Sequence, residues 1–312
     1  MTVDVPPPGG ARTTAAPPGP RRITLDAGGT PLSALLAAPP TAAAPRATVL
    51  ALHGGGMTAG YFDGRAHPGQ SLLALGARLG YTVLALDRPG YGASTPHLPT
   101  GQTLTEQAAT VRTALAAYTA THTLGAGLFL LGHSYGGKLA LTCAADGLPA
   151  HLLGVDVSGI GHRLAVPPHT LPSASADRRG QWKHNWGALR LYPPDTFRHC
   201  PGIVAPMPER ERAEVPSWPA RFTATAARVR VPVRFTFAEH EKWWRHDDQT
   251  LAELPGLLPH APRVLVERQP QAGHNISLGW TAHAYHLRAL AFLEESLAAR
   301  ETTAGATALA AA

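Results

Sequence analysis

The chain of 312 residues reads as an α/β protein, a mostly parallel sheet flanked by helices. Three observations lead there. Short apolar runs alternate with stretches of helical spacing, the pattern of strands joined by crossover helices. A serine in the pattern G-x-S-x-G lies between one such run and one such helix. A single long stretch, 162–227, breaks the alternation and reads as an insertion.

Taken in order, residues 1–20 are Pro, Gly, Ala and Thr, with too little apolar surface to fold, and are expected to form a disordered tail. Residues 22–25 and 32–38 flank Gly28-Gly29-Thr30-Pro31 and predict a hairpin at a sheet edge. Residues 47–52 form a buried-type strand that runs into His53-Gly54-Gly55-Gly56. A helix over 71–79 stops at Gly80. The next strand, 82–86, is followed by Asp87-Arg88-Pro89-Gly90-Tyr91-Gly92. Asp87 is an acid at a strand end, but Asp87 and Arg88 are read as shaping this turn. A long amphipathic helix over 104–120 opens with Thr103 and Glu106, spaced for a capping box. The apolar run 128–131 leads to the serine turn, with a helix over 138–145 behind it. A strand over 152–157 carries Asp156 inside it. After the insertion come a strand over 229–238, a short helix over 247–254, a last strand over 263–267 and a terminal helix over 281–299. Residues 300–312 read as an Ala/Thr tail.

Composition bounds the function. Hydrophobic residues make up 44% and charged residues 15% of the chain, so a globular core is expected. Two cysteines, Cys143 and Cys200, do not make a disulfide framework and suit a reducing compartment. The net charge of +6 comes from arginines scattered singly, with only three lysines (Lys138, Lys183, Lys242), so no nucleic-acid patch is read from it. No run approaches the roughly 18 apolar residues of a membrane span. The N-terminus lacks a secretory apolar region, and the expectation is a cytoplasmic chain.

The chemistry centres on Gly132-His133-Ser134-Tyr135-Gly136. A serine pinned between strand and helix sits on a tight turn, and a Cβ two positions either side would collide with one or the other. The turn leaves the Tyr135 N–H and the helix N-terminus facing whatever Ser134 attacks. A tetrahedral intermediate needs a second N–H donor, and the glycine run after the third strand can offer it through Gly55 or Gly56. Serine also needs an imidazole to take its proton and a carboxylate to orient that imidazole. Of sixteen histidines, His274 follows a glycine just past the last strand and precedes the terminal helix. For the acid, Glu239 and Glu241 both follow the preceding strand. Glu241, three residues after Ala238, suits the register better, and His240 between them reads as a turn residue. Asp156 is the third candidate. The insertion is dense in Pro, Arg and Trp and reads as a folded cap. Its Trp182, Trp186 and Trp218, with Trp243 and Trp244, suggest a pocket for a bulky apolar or aromatic substrate.

Together, HGGG, DRPGYG, GHSYGG, the acid after the following strand and GH before the last helix resemble the α/β-hydrolase superfamily in its serine-nucleophile branch, over residues 22–299. The resemblance implies an α/β-hydrolase fold with core segments 21–161 and 228–299, a cap at 162–227 after the sixth strand, and tails at 1–20 and 300–312. It implies Ser134 as nucleophile, His274 as base and Glu241 as acid, where Asp is commoner. It also implies an oxyanion hole from Tyr135 with Gly55 or Gly56, and neither metal nor organic cofactor. An aspartate nucleophile is excluded by Ser134, and Tyr135 departs from the Met common after the serine of perhydrolase-like members. The expected activity is hydrolysis of a carboxylic ester or thioester of a small-molecule acyl substrate through an acyl-enzyme. Acyl transfer, thioesterase action or C–C bond hydrolysis in natural-product tailoring would use the same triad. A non-catalytic ligand-binding protein is the alternative of another class, and the intact Ser134/His274 pair counts against it.

Overall fold

The computed structural model describes residues 19–40, 44–148, 150–171, 178–198 and 202–310. Most of the expected N-terminal tail, and Cys200, lie outside these residues. Eight strands form one sheet in the order β1-β2-β4-β3-β5-β6-β7-β8. β1 (Arg21–Asp26) and β2 (Pro31–Ala37) are the antiparallel hairpin expected at one edge. Gly28 and Gly29, at φ of 68° and 88°, turn it, and the Gly29 N–H donates to Asp26. From β4 across to β8 every pair is parallel.

The central strands are buried on both faces, as crossover helices require. β3 (Thr48–Leu52) and β4 (Thr82–Leu86) share the sequence TVLAL and pair residue for residue, Thr48 with Thr82 through Leu52 with Leu86. Their side chains alternate between two cores. Leu50, Leu52, Leu84 and Leu86 pack with α2 (Leu104–Thr119) and α3 (Tyr135–Asp146). Val49, Ala51, Val83 and Ala85 pack with α1 (Leu72–Arg78) and the terminal helix. The capping box opens α2 as expected, with Thr103 and Glu106 each taking the other's backbone N–H.

Among the described residues between β6 (Leu152–Ser158) and β7 (Val233–His240) lie 3-10 turns and three helices: α4 (Arg178–Trp186), α5 (Glu209–Glu214) and α6 (Trp218–Ala226). α6 is not part of a cover. Its Trp218, Phe222 and Ala226 are buried in the core that holds α3 and β7, with Phe222 packing on Phe235 at 6.3 Å between ring centroids. α6 thus packs with the body, inside the span 162–227 expected as a cap. α7 (Asp248–Leu257) leads to β8 (Val264–Gly273), which runs beyond the expected 267 because β7 pairs with it as far as His240 and Gly273. The terminal helix, α8 (Ala282–Ala310), continues through most of the expected tail 300–312, a proline-free stretch rich in alanine, the strongest helix former. Among the described residues no helix is long and apolar enough to cross a membrane.

Trp218 tests this packing. Its side chain is 1% exposed and its Nε1 donates to the Gly161 carbonyl at 3.1 Å. Trp218→Ala should lower unfolding stability by about 3–5 kcal/mol in urea denaturation, whereas Leu189→Ala, at a side chain 57% exposed, should leave the unfolding midpoint near that of the parent.

Candidate active site

Ser134 sits on the turn from β5 (Leu128–His133) into α3, at φ 51° and ψ −119°, one of two non-glycine residues with positive φ among those described. The strain is held by its neighbours: its N–H donates to the Ser158 carbonyl at 2.8 Å and its carbonyl accepts from Gly137 at 2.9 Å. A Cβ on Gly132 would stand 2.5 Å from the Gly136 carbonyl oxygen, and one on Gly136 would run into the Leu52 carbonyl. Both glycines are thus required by close backbone approach, as the sequence pattern implies.

His274 and Glu241 come to this serine. The His274 Nδ1 lies 2.8 Å from Glu241 Oε2, and its Nε2 lies 3.2 Å from Ser134 Oγ. With the proton on Nδ1 donating to the carboxylate, Nε2 is left to accept from the serine hydroxyl. The other Glu241 oxygen accepts the N–H groups of Lys242 and Trp243, each at 2.9 Å. Burial pushes the Glu241 carboxyl up, but His274 and these two N–H donors overcome it and hold the group below the ordinary glutamate range. The turn carrying Glu241 closes by its N–H to the Ala238 carbonyl, the three-residue spacing read from sequence.

The other two acids are elsewhere. Glu239 is exposed and accepts the Gln271 N–H at 2.7 Å, steadying a β8 residue at φ 54°. Asp156 is buried against Arg234 and takes the Tyr285 hydroxyl at 2.9 Å. His240 pairs across β7 and β8 with Gly273. Asp87 accepts Ala59 N–H and Ser33 Oγ, each at 2.7 Å, so it shapes its turn as expected.

The glycine loop is held by Arg88, whose side chain is fully buried. Its Nε donates to the His53 carbonyl at 2.7 Å and its Nη2 to the Gly54 carbonyl at 3.2 Å. Its two Nη groups grip Glu211 of α5 at 2.7 and 2.9 Å, and Gln107 of α2 accepts a further 2.7 Å bond. Tyr91 donates to the same Glu211 at 2.7 Å and accepts the Gly56 N–H at 2.9 Å. Gly56 is thereby removed as a candidate donor, because its proton is already given away. The Gly55 N–H and the Tyr135 N–H, first of α3, take part in no hydrogen bond among the described residues. The loop abuts the serine: a Cβ on Gly54 would stand 3.2 Å from Ser134 Cβ.

A cavity of about 590 Å³ opens on Ser134, lined by Gly55, Tyr135, Lys138, Met207, Trp182, Trp186, Trp243, Trp244 and other residues of the insertion. Four of the five expected tryptophans line it; Trp218 does not, because α6 turns it into the core. A void of about 10 Å³, the room of a single water, touches Ser134, His274, Gly54 and Gly55. Among the described residues no group of three or more His, Cys, Asp or Glu could hold a metal ion. Sequence reasoning missed Glu211 as the partner of Arg88, Tyr91 as the acceptor for Gly56, and Lys138 as a cavity residue. An apolar helix containing one lysine was the available signal for Lys138.

The sequence model of the Alpha/beta hydrolase family matches residues 49–294. No curated protein matches the chain. Among solved structures, a thermostable carboxyl esterase from Bacillus coagulans aligns at TM-score 0.62 and 15% identity, covering 89% of this chain and 98% of the esterase. The thioesterase domain of the curacin biosynthetic pathway aligns at TM-score 0.57 and 16% identity, covering 88% and 100%. The N-acyl homoserine lactonase AidH aligns at TM-score 0.62 and 14% identity, covering 88% and 98%. At these identities the likeness is one of fold.

Breaking the Arg88–Glu211 pair should be costly. Glu211→Ala leaves a buried guanidinium uncompensated and should destabilise the protein by about 3–5 kcal/mol. The Arg88→Met, Glu211→Leu double variant should lose less than Glu211→Ala alone in the same denaturation measurement.

Proposed function

The chain belongs to the Alpha/beta hydrolase family, and from that premise we propose that it is a serine hydrolase that cleaves a carboxylic ester or thioester through an acyl-enzyme. The observation that carries this reading is the continuous hydrogen-bonded relay Ser134–His274–Glu241 at the floor of a cavity.

His274 Nε2 takes the hydroxyl proton as Ser134 Oγ attacks the carbonyl carbon, and the Glu241 carboxylate stabilises the imidazolium. The negative charge that develops on the carbonyl oxygen is received by the free N–H groups of Gly55 and Tyr135, which stand ready before the reaction begins. Collapse of the tetrahedral species breaks the bond to the leaving group. That group departs with the proton from His274 as alcohol or thiol, and the acyl group stays on Ser134. A water deprotonated by His274 then attacks the acyl-enzyme, releasing the acid and restoring the serine. The small void beside Ser134, His274 and Gly55 supports a place for that water. Apolar walls from Trp186, Trp243, Trp244 and Met207 favour a bulky apolar substrate body.

The test is active-site labelling followed by kinetics. A fluorophosphonate should add once to the wild-type protein by intact mass, not at all to Ser134→Ala, and slowly to His274→Ala. Glu241→Gln should lower kcat on an activated ester by about 10⁴-fold. An unlabelled, folded wild type would instead favour a ligand-binding protein on this fold.

A further inference from the structure

The relay makes no use of Lys138. This lysine stands one turn of α3 beyond the serine, its N–H donating to the Ser134 carbonyl at 3.2 Å. It is 5% exposed, yet it lines the cavity that Ser134 opens on. Its ammonium lies 5.4 Å from the ring centre of Tyr135, 5.6 Å from Trp244 and 5.8 Å from Trp218. Among the described residues no oxygen accepts a hydrogen bond from it, and no carboxylate pairs with it.

The two acids nearest in effect are already committed. Glu211 is held by Arg88, Tyr91 and Gln107. Glu214 takes Arg221, the Tyr135 hydroxyl and the Leu104 N–H. Burial pushes the ammonium down to about 7, the fields of Glu211 and Glu214 pull it up, and Arg88 and Arg221 press it lower again. Aromatic faces stabilise a desolvated cation, but they do not replace a hydrogen-bond acceptor. The cavity carries a second cation, Arg212, and among the described residues none that lines it is Asp or Glu.

We infer that Lys138 is the specificity-determining residue of this cavity, and that the substrate carries a carboxylate, a few bonds from the scissile carbonyl, which lies on the Lys138 ammonium. A carboxylate supplies the missing acceptor and the missing charge together, where a neutral carbonyl supplies only the first. The class is an apolar ester or thioester with an acidic end, such as a half-ester of a dicarboxylic acid. The inference rests on the hydrolase reading above.

Two matched pairs test it: 4-nitrophenyl hydrogen glutarate against 4-nitrophenyl pentanoate, and 4-carboxyphenyl butyrate against phenyl butyrate. In at least one pair the ratio of kcat/KM, acidic over neutral, should fall tenfold or more from wild type to Lys138→Met, the loss expected for a charge-assisted hydrogen bond. In the wild type alone that ratio should fall as pH rises from about 6 to about 9, because the ammonium loses its proton over that range, while effects on the shared relay cancel in the ratio. Ratios that change in neither pair, with variant or with pH, overturn the inference and leave the hydrolase reading standing. If Ser134 is neither labelled nor active, the hydrolase reading fails. Lys138 is then judged by calorimetric binding of glutarate: tenfold weaker binding to Lys138→Met upholds it, equal affinity overturns it.

Discussion

The buried pair of Arg88 and Glu211 is the constraint on which the geometry around Ser134 depends. A guanidinium without solvent is tolerable only when its donors find acceptors. Arg88 uses two backbone carbonyls of the loop after β3, a glutamine of α2 and both oxygens of a glutamate in α5. Those bonds draw the β3 loop, the β4 turn, α2 and the inserted segment to one point. The same glutamate holds the Tyr91 hydroxyl, which in turn takes the Gly56 N–H. The loop has little freedom left, and of Gly55 and Gly56 only Gly55 keeps its N–H without an acceptor among the described residues. In the proposed reaction this matters because a donor fixed in advance need not reorganise when the oxyanion forms.

The insertion is stitched to the body by backbone bonds as well. Met57 bridges Val204, with Ala205 N–H donating to Gly56 at 2.9 Å. Leu164 bridges Trp244, with Ala165 N–H donating to Trp243 at 2.8 Å. The tryptophans after β7 are therefore positioned by the start of the insertion, and the same short loop carries Glu241. The acid that orients His274 and two walls of the cavity are fixed by one set of backbone bonds. A change in how the insertion docks would move the walls and the relay together.

What could be read from sequence divides by the range of the interaction. The strands, the capping box of α2, the glycines about Ser134 and the three-residue step from Ala238 to Glu241 are local patterns. Each follows from sterics or hydrogen bonding among near neighbours. His274 was legible because chain order and a position past the last strand single it out. Glu211 was not, since 123 residues separate it from Arg88 and nothing local marks its role. Gly55 and Gly56 looked alike for the same reason: the choice between them is made by Tyr91, in another loop. Trp218 was misplaced because a tryptophan in an aromatic-rich insertion suits a pocket wall or a core equally, and only the docking of α6 decides.

The charge arrangement of the cavity carries the reasoning one step further. Arg88 and Arg234 are buried with carboxylate partners, as stability requires. Among the described residues Lys138 is buried with three aromatic faces and no acceptor, whereas Arg88 and Arg234 each face a carboxylate. A methionine of similar length would fill the same space at lower desolvation cost. Local departures from the most stable choice tend to fall where function needs them. Here the departure lies one helical turn from the serine, on the wall of the cavity. An ammonium left unpaired in the free protein, within apolar walls that strengthen its field, is a site completed by its ligand.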